Sequence, residues 1–467
     1  MKNKNILTRQ LGLFDSAMMM MGIVIGSGIF LTTGIMAQAI PSASLILLAW
    51  LVGGLLILAG ALTYAELGVS LPEAGGQYVY LREAYGHLYG FLFGWKMFLV
   101  NMTGSIAALG VGFAEYFGKF FPFLSTKEVV FSTKISLFKN SYSYSLSRGQ
   151  IVAVAVIVLL SAVNYVGVGF GKNIQNVLTV IKIGTILAFI IFGFIFVKRT
   201  SVDFSINPGG WSFAPLITGF GLSLVAVFWA FDGWNNINYV AGEIKDPKRN
   251  LKYALILGTA GITILYVFTN LIYILVLPIE KMSGVAAVAE QASSFLFGTT
   301  AAGLMSAMIL ISILGALNGA IFVGPRVYYA MARDGLFFKK VGTVHPRFQT
   351  PGFAIFLQAI WASILALTGT FEQLFTFAMF AGILFWALAA ASIFTLRKKY
   401  PDLPRPYKAW GYPVVPGVFI IALSCILLNT LIKRPVESLA GVGLMVIGIP
   451  VYYIWKNRGE SVSRAGR

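Results

Sequence analysis

The chain has 467 residues, 58% of them hydrophobic and 11% charged, with a mean hydropathy of +0.81. Soluble domains carry about 25% charged and 45–50% apolar residues, so a soluble enzyme, a nucleic-acid-binding domain and a disordered chain are excluded. The net charge of +18 is therefore read against membrane orientation rather than against a polyanion.

A spanning helix takes about 20 apolar residues. Twelve apolar segments are predicted, over 13–39, 44–70, 88–117, 150–168, 174–197, 214–242, 251–277, 299–331, 352–370, 372–396, 413–432 and 438–456. The gaps between them carry Pro, Gly and charge, as water-exposed turns do. Met1 to Gln10 holds Lys2, Lys4 and Arg9 ahead of an apolar run too long for a leader, so that run is read as the first span. With both termini in the cytoplasm, 22 of the 35 Lys and Arg fall inside, ten outside and three within helices (Lys96, Lys182 and Arg326). This distribution favours that orientation. The misfit is the loop after the third span, with Lys119, Lys127, Lys134, Lys139 and Arg148 outside; its Ser, Tyr and Lys read as a solvated external segment.

Two segments are interrupted. The first holds Gly22-Ile23-Val24-Ile25-Gly26-Ser27-Gly28-Ile29-Phe30, and the sixth Phe228-Trp229-Ala230-Phe231-Asp232-Gly233-Trp234-Asn235-Asn236. Glycine costs about 1 kcal/mol in a helix interior, so unwinding is expected at Gly26-Ser27-Gly28. One Gly-x-Gly alone would suit close helix packing equally well. Interruptions in the first member of each of two successive five-helix groups instead point to a transporter with inverted repeats and a midplane site. The chain divides accordingly into a cytoplasmic tail at 1–12, five-helix repeats at 13–197 and 198–397, two further helices within 398–456, and a cytoplasmic tail at 457–467. The half-helix after the first break would present the amides of Gly26, Ser27 and Gly28, carrying about +0.5 elementary charge, to a carboxylate. The preceding half-helices would present carbonyls near Val24 and near Trp229 and Ala230 to an ammonium. Amides on one side and carbonyls on the other suit a zwitterionic α-amino acid, and irregular backbone at that depth requires a cavity.

Lys182 lies deep in the fifth span, where a lysine costs at least about 2.5–3.5 kcal/mol. It lies near enough to the start of its span to snorkel only with strain, so a functional role is favoured. Asp232 is read first as a cap for the second half-helix and second as a counter-ion for a cationic substrate. Lys96, Glu66 and Glu115 are read as structural pairs or cavity edges with no assigned role. The one cysteine, Cys425, permits no disulfide within the chain, and His87 and His345 stand far apart. No metal site and no cofactor are expected.

Taken in order, these residues resemble the amino acid–polyamine–organocation transporters, and within them the L-type amino acid transporter branch and its bacterial relatives. The matching stretches are Gly26-Ser27-Gly28-Ile29-Phe30, Pro72-Glu73-Ala74-Gly75-Gly76-Gln77-Tyr78-Val79-Tyr80-Leu81, Gly90-Phe91, Gly94-Trp95, and Gln175 with Lys182. Asp232-Gly233-Trp234-Asn235, Glu243-Ile244-Lys245-Asp246-Pro247, Ser312 with Gly315 and Asn318-Gly319, and Arg405-Pro406-Tyr407-Lys408 complete the set. The resemblance implies an all-α membrane protein of twelve transmembrane helices, a LeuT-like 5+5 inverted repeat with helices 1 and 6 discontinuous, working by alternating access. It implies that Trp229 is an aromatic lid. It also implies that Lys182 occupies the place of a sodium ion in sodium-coupled relatives, bridging helix 1 to helix 8 through a carbonyl near Gly22 and the Ser312 hydroxyl. In animal relatives a cysteine between helices 3 and 4 bonds a heavy subunit. Residues 118–149 contain none, which excludes a disulfide-linked partner and points to a bacterial inner-membrane protein whose partners are its substrate and the bilayer, not nucleic acid.

The expected activity is sodium-independent exchange of small to medium neutral L-amino acids. Proton-coupled symport and cationic substrates are the alternatives, and which amino acid is carried stays open. A membrane-embedded enzyme would cluster Asp, Glu, His or Cys, and a channel would need rings of charge or carbonyls; the sequence has neither pattern.

Overall fold

The computed structural model describes residues 6–137, 140–197, 202–207, 209–210, 212–285, 287–368, 371–433 and 435–465. Lys2, Lys4, Lys139, Lys198, Arg199, Arg434 and Arg467, used above to set orientation, lie outside the described residues.

The chain is mostly helical. In order come α1 (Leu13–Val24), α2 (Gly28–Ala39), α3 (Ala43–Ser70), α4 (Gln77–Tyr85), α5 (His87–Lys96), α6 (Met102–Phe120), α7 (Arg148–Val166), α8 (Val168–Phe196) and α9 (Phe213–Ala230). Then follow α10 (Pro247–Val276), α11 (Ile279–Met282), α12 (Val288–Phe297), α13 (Thr299–Val323), α14 (Pro325–Arg333), α15 (Gly352–Thr368), α16 (Phe371–Lys399), α17 (Val414–Lys433) and α18 (Pro435–Ala465). Among the described residues, nine apolar stretches are long enough to cross a membrane: α1 with α2, α3, α5 through α6, α7, α8, α10, α13 with α14, and parts of α16 and α17. Shorter apolar helices run over Ala214–Ala230, Gly352–Thr368 and Gly441–Lys456, where the other three predicted segments lie.

Three features depart from the sequence reading. The loop after α6 is not only a solvated segment: β1 (Val129–Leu137) pairs antiparallel with β2 (Asn140–Ser147). Over 140–147 Ser alternates with Tyr and Leu, the period-two pattern of a strand. The third span is not one continuous α-helix, because Met97–Asn101 forms a π-helical turn between α5 and α6. The second half of the sixth segment is not an α-helix either. After α9 the chain turns through Phe231 to Asn235 and continues as a 3-10 helix over Asn236–Glu243.

The packing brings the irregular pieces together. α1 packs on α8, α10 and α13, and α2 packs on α9. Gly28 makes the last contact close: a Cβ there would stand 2.8 Å from the Ala230 Cα. The stretch after α3 holds the 3-10 helix in place. Gln77 Oε1 accepts from Asn235 Nδ2 (2.6 Å) and from the Tyr239 hydroxyl (2.8 Å), while its Nε2 donates to the Tyr64 hydroxyl (2.7 Å). Arg405 donates to the carbonyls of Leu396, Tyr400, Pro401 and Leu403, pinning the turn that follows α16. Glu66 takes two hydrogen bonds from Arg397 (2.8 and 2.6 Å) and one from the Ala409 amide (2.6 Å), as a structural pair should.

Candidate functional site: a cavity between two broken helices

A helix break frees carbonyls that would otherwise accept from the residue four places on, and buried carbonyls need donors. The break between α1 and α2 is supplied by three other helices. Lys182 on α8 donates from Nζ to the carbonyls of Gly22 and Ile25, 2.8 Å each. Ser312 on α13 donates to the carbonyls of Ile25 (2.9 Å) and Gly26 (3.1 Å). Tyr266 on α10 donates to the Val24 carbonyl (3.1 Å) and lies 3.3 Å from the Ala230 carbonyl at the end of α9. One phenol thus sits on both breaks. Its ring is held edge-on by Trp50 and Phe231, with centroids 5.4 and 5.1 Å away.

Lys182 is 2% exposed and therefore does not snorkel. Gly315 makes room for it, since a Cβ there would lie 2.7 Å from both Nζ and Cε of Lys182. The reading that paired Lys182 with the Ser312 hydroxyl needs correction. Both groups are donors here, and they converge on the Ile25 carbonyl, because the break offers carbonyls and a hydroxyl beside an ammonium does better by joining it on them.

A cavity of about 90 Å³ lies beside the two breaks, lined by Val24, Gly26, Ser27, Gly28, Trp229, Ala230 and Asp232 among others. The sequence-derived substrate residues therefore share one wall system, while Gly22, Lys182 and Ser312 sit behind it. Two details differ from expectation. The Gly26 amide is not free: it donates to the Val24 carbonyl at 2.7 Å, closing a tight turn. Asp232 does not cap the following helix by its side chain. The residue at that cap is Asn235 and makes no side-chain cap bond, whereas Asp232 borders the cavity. The turn over 231–235 puts the start of the 3-10 helix at Asn236, four residues beyond Asp232 and out of its capping range.

Sequence reasoning missed Tyr266 and Asn101, because a tyrosine or asparagine in an apolar run carries no signal of its own. Lys96, read as a structural pair or cavity edge with no assigned role, lines the cavity together with Asn101, Ser105 and Trp386, and Gln77, named only within a family stretch, braces the 3-10 helix.

The sequence profile described as amino acid permease matches residues 11–454. The chain belongs to the amino acid permease family. It is 32% identical over 466 residues to the serine/threonine exchanger SteT of Bacillus subtilis (strain 168), covering 98% of this chain and 99% of that one. It is 28% identical over 465 residues to the human large neutral amino acids transporter small subunit 2, covering 98% of this chain and 83% of that one. It is also 28% identical over 455 residues to the mouse b(0,+)-type amino acid transporter 1, covering 96% and 88%.

Proposed function

We propose that this permease exchanges small to medium neutral L-amino acids across a bacterial inner membrane, without sodium and with both termini in the cytoplasm. The observation that carries the reading is the cavity bounded by two broken helices, with the freed carbonyls behind it already held by the ammonium of Lys182. The serine/threonine exchanger among its relatives supports the same reading. It further places the chain in a twelve-helix 5+5 inverted repeat, the nine long spans and three shorter apolar helices supplying the segments.

The substrate carboxylate is received at the N-terminal end of α2 by the amides of Ser27 and Gly28, where the helix dipole favours an anion. The Gly26 amide joins them by leaving Val24. The ammonium goes to the carbonyls of Val24, Trp229 and Ala230, and Trp229 covers the bound molecule as a lid. Lys182 and Ser312 bind no substrate. They hold the first break in the shape that makes the site, with Gly22 as one anchor. A tethered ammonium does the electrostatic work of a cation but cannot leave, which suits obligatory exchange: each inward and outward step is driven by a bound amino acid. The single Cys425 is exposed on α17, and no disulfide-linked subunit is required.

The test is uptake of labelled serine into liposomes loaded with unlabelled amino acid, with excess alanine, serine, threonine, leucine, lysine or arginine outside as competitors. Neutral competitors should suppress uptake, and Trp229→Ala should both slow it and flatten the order of competitors. Suppression by lysine and arginine alone would overturn the substrate class, and a Trp229→Ala protein with unaltered rate and order would return Trp229 to packing.

A further inference from the structure

Lys96 is buried at 2% exposure and lines the same cavity as Asp232. Its position follows from the π-helical turn that begins at the next residue. Five residues per hydrogen-bonded ring bring residue 101 back over residue 96, and Lys96 Nζ donates to Asn101 Oδ1 at 2.7 Å. The widened turn is kept open from outside: Tyr328 and Trp361 donate to the carbonyls of Met97 (3.3 Å) and Leu99 (2.9 Å). Single π-turns of this kind gather at functional sites. The ammonium lies 3.4 Å from the Ala381 carbonyl and 5.1 Å from the ring centres of Phe93 and Phe385. Among the described residues no carboxylate lies within 4.0 Å of it, so it is not closed into an ion pair. Asp232 lines the same cavity, where opposite charges attract through a low dielectric.

We propose that Lys96 and Asp232 form a charge-compensated subsite for the substrate's side chain, admitting neutral side chains able to hydrogen-bond and turning away cationic and anionic amino acids. This deepens the exchange reading above and rests on it. An ammonium has three donors, and Asn101 and Ala381 take two, leaving one for a hydroxyl or carboxamide oxygen. The Asp232 carboxylate accepts from the same group's O–H or N–H. A cationic side chain drawn to Asp232 meets Lys96 as a like charge, and an anionic one drawn to Lys96 meets Asp232. Selectivity arises here from repulsion as much as from attraction.

The prediction crosses over in charge. Lys96→Met leaves Asp232 uncompensated, so the inhibition constant of lysine relative to alanine should fall by about tenfold or more. Asp232→Asn leaves Lys96 uncompensated, so aspartate should gain on alanine by a comparable factor. The double variant should lose both gains. The measurement is competition against labelled alanine exchange in liposomes. Ligand-induced thermal stabilisation of the purified protein gives the same ratios if a variant binds without turning over. Lys96→Gln is the second choice should Lys96→Met not fold, and the Asp232→Asn arm stands independently of both. Ratios within about twofold of wild type in the folded single variants would overturn the subsite, as would a gain for the opposite charge. A wild-type protein that exchanges no amino acid would instead sink the reading beneath it, which keeps the two failures apart.

Discussion

An ammonium in a spanning helix costs at least about 2.5–3.5 kcal/mol on insertion scales. Lys182 answers that cost with the carbonyls of Gly22 and Ile25. Those carbonyls exist as acceptors only because the first helix breaks, so the lysine and the break depend on each other. Removing one partner of a buried hydrogen-bonded charge costs about 2–5 kcal/mol, and each 1.4 kcal/mol is about tenfold in rate. Lys182→Ala should therefore lower the exchange rate by about tenfold or more while the protein still purifies as a folded species, measured by uptake beside a thermal unfolding curve. A variant exchanging at the wild-type rate would remove Lys182 from the mechanism. Lys182 was legible in the sequence because a charge stands out in an apolar run. Tyr266, which touches both breaks, was not, because a tyrosine in such a run is ordinary and only the fold brings its hydroxyl to Val24 and Ala230.

At the scale of elements, the two glycines of Gly26-Ser27-Gly28 do different work. Gly28 permits α2 to abut α9, for a Cβ would press on the Ala230 backbone at 2.8 Å. Gly26 has room, its nearest neighbour being the Ala316 Cβ at 3.6 Å. Overpacking of this kind costs about 1–3 kcal/mol. Gly28→Ala should lower the unfolding temperature clearly more than Gly26→Ala, and equal shifts in a detergent melting assay would contradict the packing described. The consequence for the site is that loss of transport in a Gly28 variant reports on packing as well as on carboxylate binding, so Gly26 is the cleaner probe. The break itself was readable, because Gly-Ser-Gly weakens a helix wherever it stands. The π-turn at Met97–Asn101 was not, since no residue type marks a five-residue ring and its carbonyls are satisfied by Tyr328 and Trp361 from distant elements. The hairpin after α6 was missed for a related reason: its polar alternation reads equally as a strand or as a solvated loop.

Across the whole molecule, the two broken segments are tied together at one end. The amides of Gln10 and Leu11, leading into α1, donate to the Glu243 carbonyl (2.8 and 2.9 Å), and the Lys245 amide donates back to the Leu11 carbonyl (2.8 Å). The Glu243 carboxylate accepts two hydrogen bonds from Arg326 on α14 (2.6 and 2.9 Å), with both side chains at most 1% exposed. Beginning of the first segment and end of the sixth thus meet at one buried charge pair, the arrangement expected if they close and open the same side of the cavity together. If substrate binding drives that motion in both directions, transport needs an amino acid on each side of the membrane and no sodium on either. The most direct measurement is uptake of labelled serine, in sodium-free buffer, into proteoliposomes that are either loaded with unlabelled serine or empty. The account predicts rapid uptake into the loaded vesicles and almost none into the empty ones, unchanged when sodium is added; concentrative uptake into empty vesicles, driven by a sodium or a pH gradient, would contradict it.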